Sequence, residues 1–171
     1  MTAAGGTSPV TAAGAAPVRP MAADDLPAVR ELAAQLGYPA SAPEISDRFE
    51  ALAHSPLHAL LVAAAPGESP SGFLHVSAST ALLHAPEAEI VALVVEERAR
   101  GRRVGASLVA SAEAWARSRG LRSMRVRCRV ERERAHRFYQ RLGFEQSKTQ
   151  HVFTKALAPA VTRAGNRFEK D

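Results

Sequence analysis

The first third of the chain places apolar residues at helical spacing in two successive segments. The stripe in the first segment is Val29, Leu32, Ala33 and Leu36. Asp24 or Asp25 can cap this helix, and Gly37 follows where a left-handed residue ends helices. The second segment opens with SAPE at 41–44, a capping box that predicts a second helix.

Strand patterns dominate the middle of the chain. They occur at 17–21, 58–65 and 73–83. The Gly/Pro/Ser-rich segment 66–72 predicts a hairpin between the last two of these strands. A break is predicted at 84–87. The run AEIVALVV at 88–95 is too continuously apolar for a solvent-exposed edge strand, so we expect a central strand there.

Helix and strand patterns alternate in the second half. The predicted elements are a helix from Val104 stopped by Gly120, a strand at 124–130, a helix at 133–142 and a strand at 151–157. One further short strand is predicted near 144–149. The whole order predicts a mixed α/β (α+β) domain over residues 17–157, built around a central sheet.

Composition narrows the class of protein. The 171 residues suit one domain, and 46% hydrophobic residues are typical of a globular chain. The Ala/Gly/Thr-rich residues 1–16 predict a disordered tail, and residues 158–171 a flexible one. Cys128 is the single cysteine, and no apolar run is long enough to span a membrane, so we expect a cytoplasmic protein without a thiolate metal cluster.

The segment RARGRRVGA at 98–106 lies between the apolar strand and the predicted helix at 104. The net charge of +5 indicates an anionic partner, and this turn holds four arginines and two glycines. A helix start with glycine and arginine nearby suits phosphate groups. A solvated basic turn is the alternative. Nucleic acid is disfavoured because the other arginines are scattered, without interleaved aromatic residues.

This turn, followed about thirty residues later by AHRFYQRLGF, resembles the GNAT superfamily of N-acetyltransferases. The family pattern Gln/Arg-x-x-Gly-x-Gly/Ala falls on Arg100, Gly101, Arg102, Arg103, Val104 and Gly105, followed by Ala106. Arg103 stands where the family usually has glycine. The resemblance implies a sheet of six to seven strands flanked by about four helices, and a turn that binds the pyrophosphate of acetyl-coenzyme A (acetyl-CoA).

The resemblance also implies roles for residues outside the turn. The strand at Leu93, Val94 and Val95 resembles the one whose edge pairs with the pantetheine arm of acetyl-CoA. FYQRLGF at 138–144 resembles the late helix whose tyrosine protonates the departing thiolate, which assigns Tyr139 as general acid beside Phe138. Arg132 takes the place of a cofactor-binding asparagine. No metal is implied.

Glu89 has two interpretations. It opens the apolar central strand, and some family members carry a glutamate there that removes a proton from the amine through water. Alternatively, it lies at a wet strand end or pairs with Arg125 or Arg127 across the sheet. Tyr139 has an alternative as well, a packed aromatic residue. His75 and His84 could line the acceptor cleft, but an ordinary surface or satisfied histidine is the simpler interpretation.

The predicted function is an acetyl-CoA-dependent N-acetyltransferase whose primary-amine acceptor attacks directly. A small amine or an aminoglycoside-like acceptor is slightly favoured, because Glu44, Asp47 and Glu50 form an acidic group in the acceptor region. The alternatives are an acetyltransferase of proteins or peptides and a non-catalytic acyl-CoA-binding regulatory module. The expected partners are acetyl-CoA, the amine and a second copy in a homodimer, with no membrane.

Overall fold

The computed structural model describes residues 17–157. The tails predicted at 1–16 and 158–171 lie outside this range. The elements are β1 (Val18–Pro20), α1 (Leu26–Gln35), α2 (Ala42–Ala53), β2 (His58–Ala63), β3 (Gly72–Ala81), β4 (His84–Val95), α3 (Val104–Ser118), β5 (Met124–Val126) and α4 (Glu133–Arg141). Short 3-10 turns precede α1 and α3.

The strands form one sheet in the order β1-β2-β3-β4-β5. The pairs β1–β2, β2–β3 and β3–β4 are antiparallel, and β5 lies parallel to β4 because α3 carries the chain back along the sheet. The mixed α/β class, the four helices, the β2–β3 hairpin and a position for β4 between two neighbours are confirmed. Among the described helices, none has the length and apolar character needed to cross a bilayer.

Each face of the sheet is covered by helices. On one face, Leu74 and Val76 of β3 pack with Leu108 and Ala112 of α3, and all four are buried completely. On the other face, α1 places Val29 and Leu32 against a second buried cluster that includes strand residues. The cluster residues from the strands are Val62, Phe73 and Val94. The apolar stripes read from the sequence therefore face the sheet.

The predicted capping box at the start of α2 is confirmed. The Ser41 hydroxyl accepts a hydrogen bond from the Glu44 N–H, and the Glu44 carboxylate accepts one from the Ser41 N–H at 2.8 Å. Asp25, in contrast, makes no side-chain cap for α1. Its buried carboxylate instead forms a two-point ion pair with Arg19, at 2.7 and 2.8 Å, which fastens the start of α1 to β1.

A β-bulge interrupts β4 in its middle. His75 of β3 pairs with Ala92, whereas the next residue, Val76, pairs with Ile90. Val91 is thus an extra residue in β4, and its side chain is exposed. Because a bulge bends the strand that contains it, the second half of β4 turns away from the direction of its first half.

The bulge coincides with the point where β4 and β5 part. They pair only through Ala88–Ile90 and Met124–Val126, and β5 ends there while β4 continues to Val95. Within residues 17–157, the edge of β4 beyond Ile90 therefore has no strand beside it on the β5 side. This opening next to the basic turn is where both cavities described below are found.

The prediction of six to seven strands is wrong for the described residues, because no strand forms at 144–149 or 151–157. Two of the large apolar side chains of the last segment, Val152 and Phe153, are 82% and 92% exposed. Without burial of an apolar face, this segment gains too little from pairing to join the sheet. The predicted strand at 124–130 is also shorter, since only Met124–Val126 has a partner strand.

The predicted break at 84–87 is wrong as well. β4 begins at His84 and continues the ladder with β3, where Glu87 pairs with Ser79. Pro86 is accommodated because β4 has no neighbour on its other side at this point, so the missing N–H interrupts no second ladder. β3 and β4 therefore extend beyond the rest of the sheet as a two-stranded ribbon.

Candidate active site

The turn between β4 and α3 uses left-handed backbone at two positions. Gly101 has φ +83°, which glycine adopts readily. Arg103 has φ +61° and is the single non-glycine residue of positive φ within residues 17–157. It is also the position where the related family pattern has glycine. The turn therefore keeps the left-handed backbone conformation that glycine adopts readily, and Arg103 is strained as a result.

The start of α3 has no side-chain cap among the residues that the structure describes. Its first helical hydrogen bond runs from the Ser107 N–H to the Arg103 carbonyl, and the Arg103 side chain makes no cap. The N–H groups of Val104, Gly105 and Ala106 precede that bond, and these residues line a cavity. Uncapped donors at the positive end of a helix dipole make a site for phosphate.

That cavity, about 780 Å³ in volume, is called the turn cavity here. Most residues predicted to bind the cofactor line it, together with the predicted general acid. They are Leu93, Val94, Val95, Arg100, Gly101, Arg103, Val104, Gly105, Ala106, Arg132, Phe138 and Tyr139. Two of the predicted site residues do not line it: Arg102, which is exposed, and Glu89.

Arginine outnumbers carboxylate in the wall of the turn cavity. Its five arginines are Arg100, Arg103, Arg132, Arg134 and Arg141, and its two acidic residues are Glu131 and Glu133. The sequence prediction missed Arg134 and Arg141, as well as Gln35 and Leu36 from the end of α1. The signal for Arg134 and Arg141 is their spacing on α4, because positions i, i+4 and i+7 place them on the face that carries Phe138.

Arg100 is partly engaged by the turn itself. Its Nε donates to the Val95 carbonyl at 3.3 Å, and its Nη1 lies 3.5 Å from a carboxylate oxygen of Glu97. These contacts hold the guanidinium across the end of β4. The remaining N–H groups of Arg100 face a cavity where a phosphate can accept them.

Gly105 allows α4 to pack closely against the start of α3. A Cβ at this position would lie 3.1 Å from Cζ of Phe138 and 3.5 Å from Cγ2 of Val95. A side chain here would displace the Phe138 ring. The absence of a side chain at Gly105 thus allows Phe138 to form the cavity wall, and it also gives ligands access to the N–H groups of α3.

Tyr139 stands where the turn cavity meets a second cavity. Its ring packs edge-on against Phe138 and Phe144, with centroid separations of 5.1 and 5.5 Å. Burial, and then the neighbouring Cys128, raise the pKa of Tyr139 to about 12, while the positive charge of Arg132 opposes the rise. The phenol therefore keeps its proton at neutral pH and can donate it.

The second cavity, about 440 Å³, is called the β5 cavity here. It lies beside the bulged part of β4, between the end of α1 and the chain that follows β5. Five residues line both cavities: Leu36, Leu93, Arg132, Ala135 and Tyr139. Cys128 lines the β5 cavity, and burial raises the pKa of its thiol, so it stays protonated and is a poor nucleophile.

Glu89 forms ion pairs with Arg125 of β5 and with Arg127, which follows β5. The Nε and Nη2 of Arg125 donate to Oε2 of Glu89 at 3.0 and 2.8 Å, and Arg127 Nε lies 3.2 Å from Oε1. Arg125 also pairs with Glu87 at 2.5 Å. The cross-strand pairing considered for Glu89 is therefore present. The role of a base stays a prediction.

The predicted histidines lie elsewhere. His75 is half-buried on β3, and its Nε2 is 2.9 Å from Nδ1 of His58 on β2. Burial, followed by the effect of His58, lowers the pKa of His75 to about 4. His84 is exposed at the start of β4, and neither His75 nor His84 lines either cavity. Within residues 17–157, no group of three or more potential ligands is arranged to hold a metal.

Comparison with known proteins places these features in a family. The model of the acetyltransferase (GNAT) family matches residues 26–144, which include the basic turn, Gly105 and Tyr139. An aminoglycoside N(6')-acetyltransferase type 1 from Stenotrophomonas maltophilia is 30% identical over 127 residues, covering 70% of this chain and 82% of that protein.

Two further comparisons cover different fractions of the chain. An aminoalkylphosphonate N-acetyltransferase from Salmonella typhimurium is 44% identical over 69 residues, which span 40% of this chain and less than half (44%) of that protein. The solved structure of AAC(6')-Iy with the bisubstrate analogue CoA-S-monomethyl-acetylneamine has a TM-score of 0.73 at 22% identity, covering 82% of this chain and 97% of that one. At this identity, the likeness concerns the fold alone.

Proposed function

The chain belongs to the GNAT family of acetyltransferases, and on that premise we propose that it is an acetyl-CoA-dependent N-acetyltransferase acting on a small-molecule amine. The observation that carries the proposal is the turn cavity. Its wall combines uncapped N–H groups of α3, an excess of arginine, the edge of β4 and the partly buried phenol of Tyr139.

The residues present fit acetyl-CoA as co-substrate. The N–H groups at the start of α3, with Arg100 and Arg103, would bind the pyrophosphate. Backbone groups of Leu93 and Val94, on the edge of β4 that lacks a neighbouring strand, would pair with the amides of the pantetheine arm. Phe138 and Arg132 complete the wall beside this path.

The chemistry is a direct transfer between two substrates. Acetyl-CoA supplies the acetyl group as a thioester. The neutral amine attacks the carbonyl carbon, a C–N bond forms and the C–S bond breaks. Tyr139 donates its phenolic proton to the departing sulfur, and the proton released by the nitrogen returns to solvent or to the phenolate. The protonated thiol of Cys128 does not take part in this step.

Glu89 has a supporting role in this proposal. The base function predicted from the sequence requires a carboxylate free to accept a proton, whereas two guanidinium groups already occupy both oxygens of Glu89. The pairing supports a positioning role, in which Glu89 orients Arg127 at the wall of the β5 cavity. Proton removal through water is the alternative.

Two experiments test the proposed activity. Because a ligand that binds the folded state stabilises it, millimolar acetyl-CoA is expected to raise the thermal unfolding midpoint. A screen of primary amines for CoA-thiol release is expected to find turnover. Stabilisation without turnover of any amine would support the non-catalytic acyl-CoA-binding module instead.

The cellular setting follows from the same proposal. We expect the protein in the cytoplasm, where acetyl-CoA is available, and as a homodimer that does not bind nucleic acid. Light scattering at micromolar concentration tests the dimer, and a gel-shift titration with duplex DNA tests the last point.

A further inference from the structure

The β5 cavity adjoins the turn cavity at the predicted general acid Tyr139. Its wall includes Leu93 and Tyr139, which also line the turn cavity. If the turn cavity holds acetyl-CoA, the amine has to approach Tyr139 through the β5 cavity. The charges of the β5 cavity therefore select the acceptor, an assignment that rests on the proposed N-acetyltransferase activity.

The wall of the β5 cavity is basic. It contains Arg127, Arg129 and Arg132, and no Asp or Glu of residues 17–157 lines it. All three arginines are exposed, so their guanidinium groups are within reach of a ligand. A cationic acceptor would meet repulsion at this wall, and an anionic group would meet up to three guanidinium forks.

Most of this charge is not balanced by the protein. Arg127 pairs with Glu89. Arg129 and Arg132 form no ion pair in the described part of the chain, and Arg132 makes one long contact, 3.4 Å from the Leu36 carbonyl. Two guanidinium charges therefore remain for a ligand.

The acidic residues that favoured an aminoglycoside-like acceptor lie away from this wall. Glu44, Asp47 and Glu50 are on α2, and none lines either cavity. The Glu44 carboxylate is engaged at the start of its own helix by Ser41. A polycationic acceptor thus finds no carboxylate of α2 in the wall of either cavity.

We infer that the acceptor is a short primary amine with an acidic group, a phosphonate, phosphate or carboxylate, at its other end. The acidic group binds the guanidinium groups of Arg129, Arg132 and Arg127. The amine then points towards Tyr139 and Leu93. A doubly charged phosphonate or phosphate uses more of the available donors than a carboxylate, and so binds better.

The test is a panel of amines of similar length and different charge. The kcat/KM for thiol release is measured with 2-aminoethylphosphonate, β-alanine, propylamine and kanamycin. We expect 2-aminoethylphosphonate to exceed propylamine by about 100-fold, the effect of two charge-assisted contacts. β-Alanine is expected to fall between them, and kanamycin below propylamine.

Arg129→Gln is the informative variant, because Arg129 is exposed and makes no ion pair that its loss would break. We expect the ratio of kcat/KM for 2-aminoethylphosphonate over propylamine to fall about tenfold, mainly through KM. Arg122→Gln is the matched control, since Arg122 is an exposed arginine that lines neither cavity, and its ratio is expected to match wild type.

The outcomes separate the acceptor class from the activity. Turnover of kanamycin or propylamine at least as efficient as that of 2-aminoethylphosphonate would leave the acetyltransferase in place and overturn the acidic-acceptor assignment. An unchanged ratio in Arg129→Gln would also overturn it. No turnover of any amine, despite binding of acetyl-CoA, would overturn the proposed function and the acceptor class together.

Discussion

Glu89 of β4 and Arg125 of β5 stand directly opposite each other in the parallel register and share a two-donor ion pair. They lie at the last stretch where the two strands pair, one residue before Ile90. The pair therefore fixes the strands just before they part. The question that this pair raises is whether Glu89 removes a proton from the amine as a base or positions Arg127 at the site.

The first prediction uses Glu89→Gln, which keeps the shape and removes the charge. If Glu89 positions Arg127, KM for the acceptor rises several-fold, kcat changes little, and the acidic limb of the pH profile stays in place. If Glu89 is the base, kcat falls by about 10²–10⁴-fold and the acidic limb shifts. Steady-state kinetics between pH 6 and 10 separate the two results, and we expect the first.

The second prediction concerns backbone strain at Arg103. Because left-handed backbone costs a non-glycine residue about 1 kcal/mol, Arg103→Gly is expected to raise the free energy of unfolding by about that amount. Urea unfolding measures the change. The control is Arg102→Gly, at a neighbouring position without positive φ, which is expected to be neutral or destabilising. Equal effects in the two variants would show that Arg103 is not strained.

The third prediction separates catalysis by Tyr139 from its packing. Tyr139→Phe retains the ring contacts with Phe138 and Phe144, so acetyl-CoA affinity and thermal stability are expected to stay near wild type. The loss of the acid is expected to lower kcat and kcat/KM together by about 10²–10⁴-fold. Near wild-type turnover with the best amine would reduce Tyr139 to a packed aromatic residue.

The raised pKa of Tyr139 adds a check on the same role. With its pKa at about 12, the phenol remains protonated throughout the usual assay range. We therefore expect no loss of kcat between pH 8 and pH 10 that depends on Tyr139. An alkaline limb in this range that disappears in Tyr139→Phe would contradict the burial of this group.

The fourth prediction is acid destabilisation by His75. Its pKa is lowered from 6.5 to about 4 in the folded protein, so folding favours the neutral ring. This contribution is complete above pH 6.5 and is lost as pH falls towards 4, where the folded protein also binds the proton. After allowance for partial exposure, the loss amounts to about 2 kcal/mol.

Urea unfolding at several pH values measures this contribution. His75→Gln, which does not titrate, is expected to reduce the slope of stability between pH 6.5 and pH 4. His84→Gln removes an exposed histidine and is expected to leave the slope at its wild-type value. If the slope is unchanged in His75→Gln, protonation of the His75 ring does not lower the stability of the folded protein.

Local periodicity was sufficient to predict most of the fold. The apolar stripes of α1 and α3 and the capping box at Ser41 each depend on residues within a few positions of one another. The errors occurred where strand formation depends on pairing with residues far away in the sequence. Pro86 indicated a break but is accommodated at an unpaired edge, and the apolar residues at 151–157 resembled a strand for which no buried face exists.

In the candidate site, too, the features that depend on neighbouring residues were predictable from the sequence, and those that depend on distant residues were not. Strand, turn and helix are adjacent in sequence, so the turn proposed to bind phosphate could be located directly, including the departure at Arg103. The contributions of Arg134 and Arg141 depend on how α4 packs against α3. The partners of Glu89 come from β5 and the residue after it, 36 and 38 positions away, so the sequence could name them as candidates and could not decide between pairing and catalysis.

The early end of β5 affects how the protein has to be handled. From Ala92 to Val94, β4 presents backbone donors and acceptors on one side, and no strand of the described residues pairs with them. Such an edge is a template for another extended chain. In purified stocks, a segment of a neighbouring molecule is the extended chain available to pair with it. We therefore expect slow association during storage, and we expect CoA without its acetyl group to suppress that association by occupying the edge.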